Sequence, residues 1–227
     1  MLMLQVSTDW LMAALLPLKK KEMLPQLVCD NHQLSIKHFY NGGAGLRIVS
    51  TTLPAADNMS FEISDSLQRF LACCSSFSKI DLKLEQRALT LSMESLCSAL
   101  QYKIPYVKKV EDMAMQRSNQ DVELQIPTEE WFHIFRTLPV KGNVTIGCCA
   151  RKRAVTLKHS KGRWVGGVHA KSTSSKTLDF ECTSAVAKAV FKDCQITDTF
   201  SSLIFMENGV LCWMSGGVTV YLAPNIE

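Results

Sequence analysis

The chain has 227 residues, 47% of them hydrophobic, and a formal charge of +4. That length suits one large domain or two of about 100 residues, and the apolar share is enough for an ordinary core. No run approaches the roughly 18 apolar residues of a membrane span, and the apolar start Met1–Val6 is too short for a signal segment, so the expectation is an intracellular protein with no membrane partner.

In chain order, one pattern recurs four times. A strand-like run leads into Ser or Thr, a helix of about three turns follows, and further strands come after it. The helix starts are Ser7, Ser64, Thr128 and Thr183. A repeat at that spacing speaks to architecture before chemistry. In the first unit Met1–Val6 reads as a strand and Ser7 or Thr8 caps a helix with Leu11, Leu15 and Leu18 on one face. Pro17 ends or bends that helix. Strands are expected at Gln26–Asp30, Gln33–His38 and Leu46–Thr52, with turns at Asp30-Asn31 and Asn41-Gly42-Gly43. The second unit opens with Met59–Ile63. Ser64 caps a helix with Leu67, Phe70, Leu71 and Cys74 on its apolar face, and strands Lys79–Gln86, Ala88–Glu94 and Ala99–Ile104 alternate as half-buried antiparallel strands do.

The third unit opens with Asp121–Ile126. Pro127-Thr128 starts a helix with Glu129 and Glu130 in its first turn, where carboxylates suit the helix dipole. Trp131, Ile134, Phe135 and Leu138 form its buried stripe, and strands Asn143–Cys149, Ala154–His159 and Trp164–Ala170 follow. The fourth unit opens with Lys176–Cys182. Thr183 starts a helix that buries Val186, Ala189 and Val190, and strands Phe200–Met206, Val210–Met214 and Val218–Ala223 close the chain. The polar stretch 106–120 has no clean period and reads as a connector. The expected organisation is an α+β protein of two similar domains, 1–105 and 121–227, each a doubled strand-helix-strands unit.

Catalytic signatures are absent: there is no phosphate-binding glycine loop before a helix, no H-E-x-x-H and no G-x-S-x-G. Gly42-Gly43-Ala44-Gly45 falls in a hairpin turn. Nine cysteines, an odd number with two adjacent pairs and no C-x-x-C spacing, read as structural thiols and not as a zinc site. The expectation is therefore no enzyme, no metal and no cofactor. Positive charge falls opposite the apolar stripes of the helices: Lys19, Lys20 and Lys21 at the end of the first, Arg69 on the second, His133 and Arg136 on the third with Lys141 beyond, and Lys188 and Lys192 on the fourth. Four such faces together suit phosphate contacts, which position a protein on nucleic acid without reading sequence. Arg151-Lys152-Arg153 forms a separate cluster in an expected hairpin turn, which suits a solvated turn, a localisation signal or a further DNA contact.

Three stretches resemble one family. Val220-Tyr221-Leu222-Ala223-Pro224-Asn225-Ile226-Glu227 is similar to the C-terminal strand of PCNA, the DNA sliding clamp. Ile126-Pro127-Thr128-Glu129-Glu130-Trp131 through Ile134-Phe135-Arg136-Thr137-Leu138 resembles that family's third helix, and Leu67 to Cys73 its second. The resemblance implies the DNA-clamp fold, a ring of usually three chains with helices lining the hole and antiparallel sheets outside. Such a processivity factor encircles double-stranded DNA and tethers a DNA polymerase and other replication or repair proteins through their short clamp-binding peptides, in the nucleus or at a viral replication site, with a clamp loader as a further partner. By position it implies DNA-facing roles for Lys19, Arg69, His133, Arg136 and Lys192, to which the helix faces add Lys20 and Lys188. It implies a peptide groove at Phe39, Val110, Met113, Met115, Ile126, Tyr221, Ala223 and Pro224, and a subunit contact pairing the strand of Tyr102 with the edge at Trp164, Val165 and Val168. Met12, Ala13 and Ala72 stand where the family carries lysines, and Trp164-Val165 where many members carry a regulatory lysine. These departures, with the positive net charge, point to a specialised or viral clamp. They also leave two alternatives: an open monomeric or dimeric factor of the same fold, and a checkpoint-type subunit working only in a hetero-oligomer.

Overall fold

The structure, a computed structural model, describes residues 2–15, 25–40, 43–63, 79–84, 88–94, 99–109, 119–149, 154–167, 169–170, 177–192, 194 and 198–225. It is sheet-rich, with short helices and antiparallel strands, as an α+β chain is. Its residues divide into two compact units, Met1–His38 with Ile48–Met113, and Phe39–Arg47 with Ala114–Glu227. Phe39–Arg47 thus joins the second unit, although it lies in the range expected for the first domain.

The first unit contains β1 (Leu2–Ser7), a helix Thr8–Leu15, β4 (Lys79–Leu84), β5 (Ala88–Glu94), β6 (Ala99–Lys109) and most of β2 (Gln26–Tyr40) and β3 (Gly45–Ile63). Its strands run in the order β1-β4-β5-β6-β3, with β2 paired to β3. Ser7 does cap the helix: its Oγ accepts from the Trp10 N–H at 3.1 Å. The last described helical residue is Leu15, two before Pro17. The sequence's turn at Asp30-Asn31 is not there, because β2 runs straight through it. Likewise the two runs Leu46–Thr52 and Met59–Ile63 are one strand, β3, of 19 residues. At Asp30-Asn31 strand pairing outweighs local turn preference. The Ser64 helix, with Arg69, and the Lys19-Lys20 end of the first helix lie outside the described residues. Tyr106–Lys109, expected in the connector, extend β6.

The second unit holds two copies of one module. The first is β7 (Gln120–Pro127), a helix Thr128–Thr137, β8 (Asn143–Cys149), β9 (Ala154–His159) and β10 (Gly162–Gly167), followed by the two-residue β11 (His169–Ala170). The second is β12 (Thr177–Thr183), a helix Ser184–Lys192, β13 (Phe200–Met206), β14 (Leu211–Ser215) and β15 (Val218–Leu222). The copies exchange strands. The strand that opens each module pairs with the first strand after the other module's helix, β7 with β13 and β12 with β8. Registers correspond as well: Pro127, last in β7, faces Phe200, first in β13, and Thr183, last in β12, faces Asn143, first in β8. Even the first helical N–H groups match. That of Thr128 donates to Thr199 O at 3.0 Å and that of Ser184 to Gly142 O at 2.8 Å, each carbonyl lying one residue before the partner strand begins. In the first unit, Ser7 at the end of β1 faces Lys79 at the start of β4 in the same way.

These crossings bring the two helices of the second unit together over an aromatic core. Phe191 meets Trp131, Phe132, Phe135 and Trp213 at ring-centroid distances of 6.2, 5.8, 4.2 and 5.5 Å. All five rings are buried. The helix expected to start at Pro127-Thr128 begins at Thr128, with Pro127 as its N-cap and no side-chain cap bond; the buried Thr128 hydroxyl has no hydrogen-bond partner among the described residues. One local expectation changes. On the last helix the buried set is Val186, Ala187, Val190 and Phe191, with Ala189 half-buried, because residue 189 falls one step around the turn toward Lys188 and Lys192. Thr183 does cap that helix, its Oγ accepting from Val186 N–H at 3.4 Å.

Cys182 and Cys212 are free thiols. Burial, with Glu181 adding to it, pushes the Cys182 thiol from 9.0 to about 12. Burial does the same for Cys212, to about 12, against a lowering hydrogen bond from Tyr221 and with a further rise from Glu123. A folded pKa above the unfolded one means the fold holds the proton more tightly. The resulting stability is intact below about pH 9 and is lost as pH rises toward 12. Urea midpoints measured from pH 8 to 11 should therefore fall more steeply for this chain than for the Cys182→Ala/Cys212→Ala variant. Parallel curves would show that these thiols do not contribute.

Candidate nucleic-acid interface

The outward faces of the two helices follow from their inward ones. With Trp131, Phe132, Ile134 and Phe135 buried, residues 129, 130, 133, 136 and 137 are left outside, and all five are exposed. On the second helix the same logic exposes Lys192 and half-exposes Lys188. The helices pack on each other, and a depression of about 350 Å³ opens between them, lined by Phe135, Arg136, Lys188 and Lys192. Its floor is the edge of a core aromatic ring and its rim carries three cations. Among the described residues no carboxylate lines it; Glu129 and Glu130 sit at the other end of their helix, in its first turn.

Lys188 differs from the other two cations. Its Nζ donates to the Leu138 carbonyl at 2.8 Å, which lies just past the C-terminal end of the Thr128 helix. A cation there meets the negative end of the helix dipole and one of its orphan carbonyls. The ammonium is thereby held in place, and one of its three donors is used. Sequence reasoning groups Lys188 with the DNA-facing cations of the helix faces, and it puts Phe135 only in the buried stripe; the geometry gives Lys188 a bonding partner and sets Phe135 in the lining of the depression. His133 and Arg136 project from the exposed side of their helix, and Lys141 is exposed just beyond it. Among the residues expected to face DNA, the structure therefore brings Arg136, Lys188 and Lys192 to one depression, and places His133 on the same helix as Arg136. Lys19, Lys20 and Arg69 lie outside the described residues.

The expected peptide groove is altered. Ile126 is fully buried and Phe39 is buried, so neither has surface to offer a peptide. Ile126 shares its face of β7 with the equally buried Val122 and Leu124, so it belongs to the core. Tyr221, Ala223 and Pro224 are half-buried at the end of the chain, where Ala223 N–H donates to Ala44 O at 2.8 Å. Gly45 lies against the Ser184 helix so closely that a Cβ there would fall 2.7 Å from Val190 Cγ2. Val110, Met113 and Met115 lie outside the described residues.

The expected subunit edges are also distinct in detail. Tyr102 is half-buried on β6, opposite Leu91 of β5. Among the described strands β10 pairs with β9 alone, and Val165 on it is 56% exposed. Trp164, however, turns inward. Its ring lies over Gly166, where a Cβ would fall 2.0 Å from it, and meets Trp131 edge-on at 6.4 Å. It braces the core and leaves Val165 as the apolar residue of that edge. Val168 lies outside the described residues. No protein-family model matches the chain, and no curated protein matches it.

Proposed function

We propose that this chain is a PCNA-like sliding clamp, a non-enzymatic processivity factor that holds double-stranded DNA against its helices and tethers a DNA polymerase. The observation that carries this function is the exchanged-strand module of the second unit, which sets two helices side by side with Arg136, Lys188 and Lys192 around one depression. A surface whose described lining carries three cations and no carboxylate suits the phosphate backbone and offers no base-reading geometry, as a protein that must slide requires. Partners with short clamp-binding peptides would dock near Tyr221, Ala223 and Pro224.

The open form of the same fold is the second reading. One observation favours it: Trp164 is committed to Trp131 in the core, which leaves Val165 as the exposed large apolar side chain on β10 for a subunit contact. Light scattering across a concentration range at moderate salt separates the two. A mass near three chains, with retention on circular but not on linear DNA, is expected for the ring. A mass of one or two chains with salt-sensitive binding to linear DNA would replace it with the open factor.

A further inference from the structure

Charge in this chain is segregated far more than its net value indicates. From Trp131 to Leu178 there is no Asp or Glu, while ten Lys and Arg fall in that stretch. The whole chain nets only +4, so everything outside the stretch is acidic on balance. Arg136 of the helix face is one of the ten. Four others, Lys141, Lys158, Lys161 and Arg163, are described and exposed, and the fold gathers them at one end of the four-stranded sheet β10-β9-β8-β12.

Two neighbouring loops define that end. The β9–β10 hairpin turns at Ser160-Lys161, where Lys161 N–H donates to His159 Nδ1 at 3.1 Å. The Lys141–Asn143 loop lies against this turn, since a Cβ on Gly142 would sit 3.8 Å from Ser160 Oγ. Within the hairpin, Arg163 directly faces Lys158. Like charges facing each other across a strand pair are destabilising. The next residue in that row is Thr145, and only then Glu181, two strands or about 9.5 Å from Lys158. Glu181 already accepts from Asn143 Nδ2 at 2.7 Å. Asp179, the other acid on β12, lies in the neighbouring row with Gly147, Thr156 and Val165. The acids thus keep to the β12 edge and the cations to the β9–β10 edge.

We infer that this hairpin end is a second nucleic-acid-binding surface, taking the phosphate backbone through Lys141, Lys158, Lys161 and Arg163. A backbone phosphate supplies a counter-charge that no described residue is seen to give the facing Arg163 and Lys158. The surface is also continuous with the helix face: Leu138, which holds Lys188, is three residues from Lys141, a reach of at most about 10 Å. A bound strand leaving the helix depression would meet these cations next. Ring closure is not required for such binding.

The test is fluorescence anisotropy of the full chain, with Arg136 and Lys192 intact, against short duplex DNA, single-stranded DNA, single-stranded RNA and a poly-glutamate peptide, from 50 to 300 mM NaCl. The variant is Lys158→Gln/Lys161→Gln/Arg163→Gln. It is expected to bind duplex at least tenfold more weakly at 100 mM salt. The slope of log affinity against log salt should become shallower by about 2.7, for three neutralised phosphates at about 0.9 each. Its melting temperature should hold or rise, because the facing like charges are removed; that separates a binding role from a folding one. Which of the three nucleic acids loses most identifies the form bound. Unchanged affinity and slope for all three overturns the inference. So does a loss confined to poly-glutamate, which would make the hairpin a docking surface for an acidic protein. The mass and circular-DNA measurements can fail without touching this result, and the reverse also holds.

Discussion

Exchanging Arg136 and Lys192 together for glutamate is expected to abolish retention on DNA while leaving the fold intact. Both side chains are exposed at the rim of the depression between the helices, and neither belongs to the aromatic core, so the melting temperature should stay within about 2 °C. Each phosphate that the protein no longer neutralises makes the salt slope on duplex DNA shallower by about 0.9, so removing two cations predicts a change of about 1.8. Charge reversal adds repulsion to that effect, and affinity near 100 mM salt should fall well over tenfold. Polymerase stimulation should fall with it. Lys188 provides the internal comparison. Its bond to Leu138 O ties it to a helix end, so Lys188→Gln should lower the melting temperature by a few degrees, for a broken charge-assisted bond of about 1–2 kcal/mol. Its effect on binding should be smaller than that of either rim residue. If the double reversal left stimulation and salt slope unchanged, the helix depression would not be the DNA-facing surface and the clamp function would fall with it.

The helix stripes are legible because their signal is local. Trp131, Ile134, Phe135 and Leu138 recur at helical spacing, and all four are buried. The strand exchange is not legible in that way. Nothing in β7 itself says that its partner is β13, about 80 residues on, and not the adjacent β8, because non-local pairing is decided by the whole sheet. The tie between Lys188 and Leu138 depends on a side-chain conformation that spacing does not encode. Ile126 is a different case. Its alternation with Glu123 and Gln125, alongside Val122 and Leu124, already marks it as a core residue, and that pattern outweighs a resemblance that assigns it to a groove. The basic hairpin is legible too. Charge tallied helix by helix passes over Lys158, Lys161 and Arg163, whereas the absence of any carboxylate from Trp131 to Leu178 marks the whole stretch.

Phe191→Ala should be among the most destabilising single changes in the second unit. The ring is buried and packs on Trp131 of the neighbouring helix and Trp213 of β14, as well as on Phe132 and Phe135. Truncating a buried Phe to Ala costs about 3–5 kcal/mol, from the transfer energy forgone and the cavity left behind. Edge-on aromatic pairs carry energy beyond area, which argues for the upper half of that range. At about 2–4 °C per kcal/mol for a chain of this size, the midpoint of thermal unfolding should drop by roughly 10 °C or more. Phe191→Leu keeps most of the volume and should cost less than half as much. The change also reaches the surface. Phe135, the floor of the depression, stacks on Phe191 at 4.2 Å, so the rim cations lose their support even where the variant still folds. Weakened DNA binding by folded Phe191→Leu would show that the core sets the spacing of Arg136 and Lys192. A drop under about 1 kcal/mol for Phe191→Ala, well below the range for a buried ring, would mean that the two helices do not share this ring, and the depression between them would have to be redrawn.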